Sequence, residues 1–116
     1  MMMMYKKTKE VKNKLLRGVL DIIVLTQIKN EVQHGYKIIK SIRRKHGIRF
    51  GASTIYPLLH DMEKENYLKS EWDIHTERAR KLYTITNKGK EYLNFNTNCF
   101  MILYNELGVK KCQEQI

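Results

Sequence analysis

Apolar and polar positions change rhythm several times along the chain, and each change marks an element. Residues 1–14 carry five lysines and no helical apolar stripe, which predicts a mobile basic arm. Leu15 to Gln27 turns apolar through Leu15, Leu16, Val19, Leu20, Ile22, Ile23, Val24 and Leu25. A face that wide over that length predicts a buried helix rather than a strand. After a polar break at Asn30–Gln33, Ile38, Ile39 and Ile42 form a stripe opposite Lys37, Lys40, Arg44 and Lys45. This predicts a second helix from about Gly35, with Gly47 as its C-terminal cap. A third helix follows from Ile55, Leu58, Leu59 and Met62, spaced i, i+3, i+4, i+7, with Ser53 as the expected N-cap. Pro57 lacks an N–H and is expected near the first turn, and Asn66 suits a left-handed terminator.

The period then drops to two. Leu68, Ser70, Trp72 and Ile74 are expected on one face of a strand, and Tyr67, Lys69, Glu71 and Asp73 on the other. Lys81–Thr86 alternates likewise, with Tyr83 and Ile85 on one face, so His75–Arg80 becomes the basic tip of a hairpin. Thr86 can cap a long last helix that reaches Leu107 and stops at Gly108.

Charge sharpens this picture. The 116 residues carry 22 Lys plus Arg against 12 Asp plus Glu, a net charge of +10. Residues 1–50 hold 13 basic and 3 acidic residues, whereas residues 51–116 hold 9 of each, so the whole excess lies in the first half. That asymmetry points to a polyanionic partner, with nucleic acid ahead of an anionic membrane. The apolar runs Met1–Tyr5 and Ile22–Leu25 are too short to span a bilayer or to serve as a signal peptide, so a soluble cytoplasmic protein is expected. Cys99 and Cys112 lack a paired Cys-x-x-Cys partner, and the four histidines are scattered, so neither a metal nor another cofactor is expected. Asp21, Asp61 and Asp73 lie on separate elements with no nucleophile–base pairing and no phosphate-cradling Gly loop, which argues against an enzyme.

Three helices followed by a two-stranded hairpin is the order of a winged helix-turn-helix, mostly α with a small β-hairpin. The third helix would then enter the DNA major groove, where base edges show a distinguishing donor and acceptor pattern. Its outward face carries Ser53, Thr54, Tyr56, His60, Asp61 and Lys64. His60 can reach a base edge or simply be solvated. Arg78, Arg80 and Lys81 make the wing basic and suit minor-groove or phosphate contact. Lys12, Lys14 and Arg17 can add phosphate contacts at the start of the first helix. Arg43, Arg44, Lys45 and Arg49 either do the same or merely complement a helix C-terminus. The implied organisation is a basic arm (1–14), a winged-helix domain (15–86), a C-terminal dimerisation helix (87–110) and a tail (111–116).

Four stretches, RGVLDIIVLTQI (17–28), HGYKIIKSI (34–42), STIYPLLHDMEKENYL (53–68) and RKLYTITNKGKEYL (80–93), resemble the PadR family of transcriptional regulators. The most specific parts are His34-Gly35-Tyr36, the Ser53-Thr54-x-Tyr56-Pro57-x-Leu59 run, and Arg80-Lys81-x-Tyr83 before Thr86. The resemblance covers Leu15 to Leu93 and implies a prokaryotic, dimeric winged-helix repressor of a pseudo-palindromic operator, in the compact branch with one C-terminal helix. Two departures stand out: Asn66 replaces the usual Gly after the recognition helix, and the wing tip lacks the common glycines and adds Glu77. The resemblance makes the Tyr36 hydroxyl a phosphate contact at a helix start, against the alternative of a core tyrosine.

On the last helix Leu93, Phe100 and Leu107 stand at heptad spacing with Leu103 between, and Phe95, Cys99 and Ile102 form a second line. Two apolar lines exceed what a small core can cover, so a partner helix is expected, and with it a homodimer. Similar regulators bind planar aromatic effectors at this dyad, which makes Phe100 the effector-pocket candidate, beside the alternative of plain dimer packing. A sequence-nonspecific DNA coat and a winged-helix protein-interaction module remain the competing functions.

Overall fold

A computed structural model describes residues 2–75 and 77–108, with side chains from Lys6 onward. The expected tail 111–116, with Cys112, and the wing-tip residue Thr76 lie outside the described residues. The chain runs α1 (Met2–Gly18), α2 (Leu20–Asn30), β1 (Gln33–His34), α3 (Gly35–His46), α4 (Ala52–Lys64), β2 (Leu68–Asp73), β3 (Arg80–Ile85) and α5 (Asn87–Glu106).

The largest departure from the sequence reading is at the N-terminus. Residues 2–18 are helical where an unstructured arm was expected. Met, Lys, Glu and Leu are all good helix formers, and no Gly or Pro interrupts them before Gly18. Intrinsic propensity suffices here without a wide apolar face. The single helix expected over Leu15–Gln27 is instead broken at Val19, whose backbone (φ −118°, ψ 20°) leaves the helical region.

The remaining helices follow their stripes. Leu20, Val24, Leu25 and Ile28 of α2 are buried, as are Ile38, Ile39 and Ile42 of α3 and Ile55, Leu59 and Met62 of α4. With Ile48, Phe50, Leu68, Tyr83, Ile85 and Leu93 they form one core. Gly47 caps α3 in the left-handed region (φ 71°), its N–H donating to the Arg43 carbonyl at 2.8 Å. At the start of α4 the N-cap is Gly51, not Ser53, which lies within the first turn and makes no capping bond. Pro57 is the sixth residue of α4, so the carbonyl it leaves without an intrahelical donor is that of Ser53. The helix ends in a Schellman motif. Asn66 is left-handed (φ 66°), its N–H donates to the Glu63 carbonyl, and the Tyr67 N–H donates to that of Met62.

The sheet has three antiparallel strands in the order β1-β3-β2, one more than the expected hairpin. The polar break before α3 hides β1, whose Gln33 and His34 pair with Tyr83 and Leu82. Two residues are too few to show a period. Ser70 donates its hydroxyl to the Glu63 carboxylate, tying β2 to α4. Thr86 caps α5 as expected, accepting from the Gly89 N–H at 2.9 Å. A Cβ on Gly89 would stand 2.1 Å from the Tyr67 carbonyl oxygen, so only glycine lets α5 start this close to the chain entering β2. The Tyr67 and Tyr92 rings stack at 4.0 Å, and the Tyr92 hydroxyl donates to Asp21 at 3.4 Å, which seats α5 beside α2.

Candidate nucleic-acid interface

The exposed side of the helix-turn-helix is built from the starts of two helices and one wall of the hairpin. Tyr36 is the second residue of α3 and is 56% exposed, which removes the core alternative for its ring. Lys40, one turn on, holds its ammonium 5.4 Å from the Tyr36 ring centre. Both are exposed, and Tyr36 lies in the first turn of α3, whose N–H groups have no intrahelical partner. Gly35 is buried, and a Cβ there would meet the Tyr56 ring at 2.5 Å. The missing side chain lets that ring lie against the start of α3. Tyr56 itself is 43% exposed, and His60 is exposed one turn further along α4.

The hairpin closes the other side. Its face carrying Leu68, Ser70 and Trp72 on β2 pairs with Ile85, Tyr83 and Lys81 on β3. Near α5 this face is core, and Leu68, Tyr83 and Ile85 are buried there. Towards the tip it becomes a wall. Trp72, on the same face as Leu68, and Ile74, just past the end of β2, are 62% and 76% exposed. Between the start of α3, α4 and this wall lies an open cavity of about 890 Å³, lined by Tyr36, Tyr56, His60, Trp72, Arg78, Arg80, Lys81 and Tyr83. Burial, then the negative charge of Glu63, raise the pKa of the Tyr83 hydroxyl, so it stays neutral at the cavity floor. Among the described residues, no carboxylate lines the cavity.

The wing is also tied to the base of α3. His34, the residue before α3, meets the Asp73 carboxylate at 3.2 Å across the sheet. The Asp73 carboxyl is held below its ordinary range, first by the backbone N–H of His75 and then by the side chain of His34. This contact joins the end of β2 to the helix start that bears Tyr36.

Of the residues singled out for DNA, six meet in the cavity: Tyr36, Tyr56, His60, Arg78, Arg80 and Lys81. Ser53 and Lys64 are exposed on α4 outside it, and Thr54 is half-buried. Lys14 and Arg17 belong to a second cleft of about 710 Å³, between α1 and the α3–α4 turn, which Lys9 and Arg49 also line. Arg17 donates to Asn13 at 2.9 Å and places its guanidinium 5.2 Å from the Phe50 ring centre. His46 is nearby. Burial, with the charges of Lys45 and Lys12, lowers its pKa and favours the neutral ring.

Two features escaped the sequence reading. Trp72 lines the cavity, and the signal for it was the register that sets it opposite Lys81, towards a basic turn. On α1, Val11 (46% exposed) and Leu15 (66%) leave apolar surface uncovered. One assignment is corrected. Leu93, placed in the dimer seam by its heptad spacing, is only 5% exposed and belongs to the chain's own core. Phe100, Leu103 and Leu107 do remain exposed, as do Phe95 and Ile102. Among the described residues no three His, Cys, Asp or Glu side chains group to hold a metal, and no helix is long and apolar enough to cross a membrane.

A helix-turn-helix whose second helix lies between an exposed tyrosine and a basic two-stranded wing defines a winged-helix DNA-binding protein. The particular family is given by comparison: residues 24–94 match the transcriptional regulator PadR-like family, and the chain belongs to it. These are regulators of transcription, not enzymes. A PadR family transcriptional regulator from Eggerthella lenta superposes with a TM-score of 0.80 at 32% identity, over 93% of this chain and 95% of that one. A PadR-like transcriptional regulator from Bacillus cereus gives a TM-score of 0.72 at 27% identity, over 82% and 93%. The transcriptional regulator Rv3488 of Mycobacterium tuberculosis is 39% identical over 64 residues, which are 55% of this chain and 58% of the relative.

Proposed function

We propose that the protein is a homodimeric repressor that binds a pseudo-palindromic operator, with α4 in the major groove and the wing against the adjoining backbone. The observation that carries this reading is the cavity where Tyr36, Tyr56 and His60 meet Arg78, Arg80 and Lys81, with no carboxylate in the lining among the described residues. Tyr36 positions the complex on a phosphate. Tyr56 and His60, with Ser53, Thr54 and Lys64 along the same helix, address base edges and the flanking backbone. Lys14 and Arg17 extend the phosphate contacts from the second cleft.

Support for a second copy comes from the surface left bare. Phe95, Phe100, Ile102 and Leu103 on α5, Leu107 at its C-cap, and Val11 and Leu15 on α1 are all more than 40% exposed. Covering them in water favours association with an identical surface. Phe100 in that seam is the position for a planar aromatic effector that releases DNA. The site of action is the nucleoid in the cytoplasm.

The test is titration of duplexes tiled across the DNA flanking the protein's own gene, against scrambled duplexes of equal length. A preference of about 10³-fold or more is expected. The footprint should fall on two half-sites about one helical turn apart, or a multiple of it. Equal affinity for both duplexes at every salt concentration makes the protein an architectural DNA coat. Failure to bind any duplex at low salt makes it a protein-interaction module.

A further inference from the structure

Trp72 is the chain's sole tryptophan, and it stands where the inward face of the hairpin outruns the core. At 62% exposure it leaves more than half of a large apolar ring in water, on a wing that any polar residue would keep soluble. Directly across the ladder is Lys81, whose ammonium lies 5.6 Å from the centre of the Trp72 ring. That is within the range in which an indole attracts a cation. Lys81 is held half-buried along the wall, where a free lysine would sweep through solvent. Both residues line the cavity that Tyr36 and Tyr56 share.

We propose that Trp72 is a positioning residue for DNA, whose ring fixes the Lys81 ammonium on the cavity wall so that it meets a backbone phosphate of the bound duplex. This role of Trp72 rests on the DNA-binding function proposed above and adds a residue to it. A lysine that grips a phosphate gives up the freedom of a four-carbon stem. A ring that already holds the ammonium removes much of that loss before DNA arrives. The pair sits at the margin of the cavity, on strands rather than on α4, so its contact is with the backbone and carries no base preference. A phosphate brought to Lys81 also comes beside the indole, which makes its fluorescence a direct reporter.

The experiment uses the full chain and a mixed-sequence duplex of about 30 base pairs, close to three helical turns. Binding is followed by tryptophan emission and, independently, by anisotropy of labelled DNA, at several salt concentrations. Wild-type emission is expected to change in step with anisotropy. Trp72→Ala and Lys81→Ala should each bind about 2- to 5-fold more weakly. Each should also lose about one unit of salt dependence, and the double variant should match either single one. Trp72→Tyr should restore most of the slope. Melting temperatures should not move, since Trp72 is outside the core. Emission that stays constant through saturation overturns the proposal, as does a Trp72→Ala protein with wild-type affinity and slope. If anisotropy shows no binding by the wild type, the DNA-binding reading itself fails, a result distinct from the other two.

Discussion

Adding one methyl group at Gly35 separates fold from function in this molecule. A Cβ there stands 2.5 Å from Cε1 of Tyr56, closer than real Cβ contacts come, and 3.0 Å from Cζ, so the ring must shift. The contact falls on a side chain, and Tyr56 is 43% exposed, so its ring can swing outward without disturbing Ile55 or Leu59 behind it. The cost of that swing is an off-minimum rotamer and lost ring contact, about 0.5–1.5 kcal/mol. Against it, alanine in place of glycine narrows the unfolded ensemble and contributes about 0.4–1 kcal/mol where the backbone is compatible. Gly35 is not in the left-handed region, so the two terms oppose at similar size. Gly35→Ala should therefore change stability by less than about 1 kcal/mol, a shift of a few degrees at most. DNA recognition has no such offset. With Tyr56 displaced from the cavity, discrimination between operator and scrambled duplex should fall by about 1–3 kcal/mol, the range of one good base-edge contact. Calorimetry and anisotropy titration on the same preparation measure both quantities. A drop in Tm beyond about 10 °C would show that the Tyr56 ring cannot yield. Wild-type discrimination at wild-type stability would show that its position does not matter to binding.

Gly89→Ala is the opposite case. Its Cβ meets the backbone oxygen of Tyr67 at 2.1 Å, which cannot swing aside, so a loss of about 3 kcal/mol or more is expected, read as a Tm lower by about 10 °C or more. Tyr36→Phe should weaken operator and nonspecific duplex alike, by about 0.5–1.5 kcal/mol, at unchanged Tm; a loss confined to the operator would move Tyr36 onto a base. Phe100→Glu with Leu103→Glu puts four carboxylates into one dimer seam, and light scattering should find a folded monomer; an unchanged dimer rejects the seam. Leu93→Ala should instead lower stability by about 2–5 kcal/mol, because Leu93 packs in the chain's own core; a wild-type Tm would return it to the seam.

Leu93 also shows how far a pattern can be read. Heptad spacing puts Leu93, Phe100 and Leu107 on one line, yet the helix spends its first turns against α2 and its last turns in the open. A period reports that a face is apolar, not which neighbour covers it. The same limit applies to Trp72, which shares its strand face with Leu68 yet is exposed where Leu68 is buried. Whether a strand residue is buried depends on how far the helix beneath it extends, and that length is set by other parts of the chain. Elements with strong local signals were legible. Gly47 and Asn66 adopt positive φ where the helices stop, and Thr86 caps α5 through its own hydroxyl. Local chemistry alone dictates those features. At the N-terminus the conflict runs the other way. Lysine-rich sequence looked unstructured by pattern, but α1 forms from propensity, and it leaves Val11 and Leu15 bare as α5 leaves Phe100 and Leu103 bare. Two helices from opposite ends of the chain with apolar surface in excess point to one cause. The core of a single copy is already built from α2, α3, α4, the sheet and Leu93 of α5, so covering this further apolar surface is what the proposed homodimer would do. Association of that kind would couple the spacing of two recognition helices to the packing of α1 and α5. A substitution at Leu15 should then disturb operator binding without touching DNA, through the distance between half-sites.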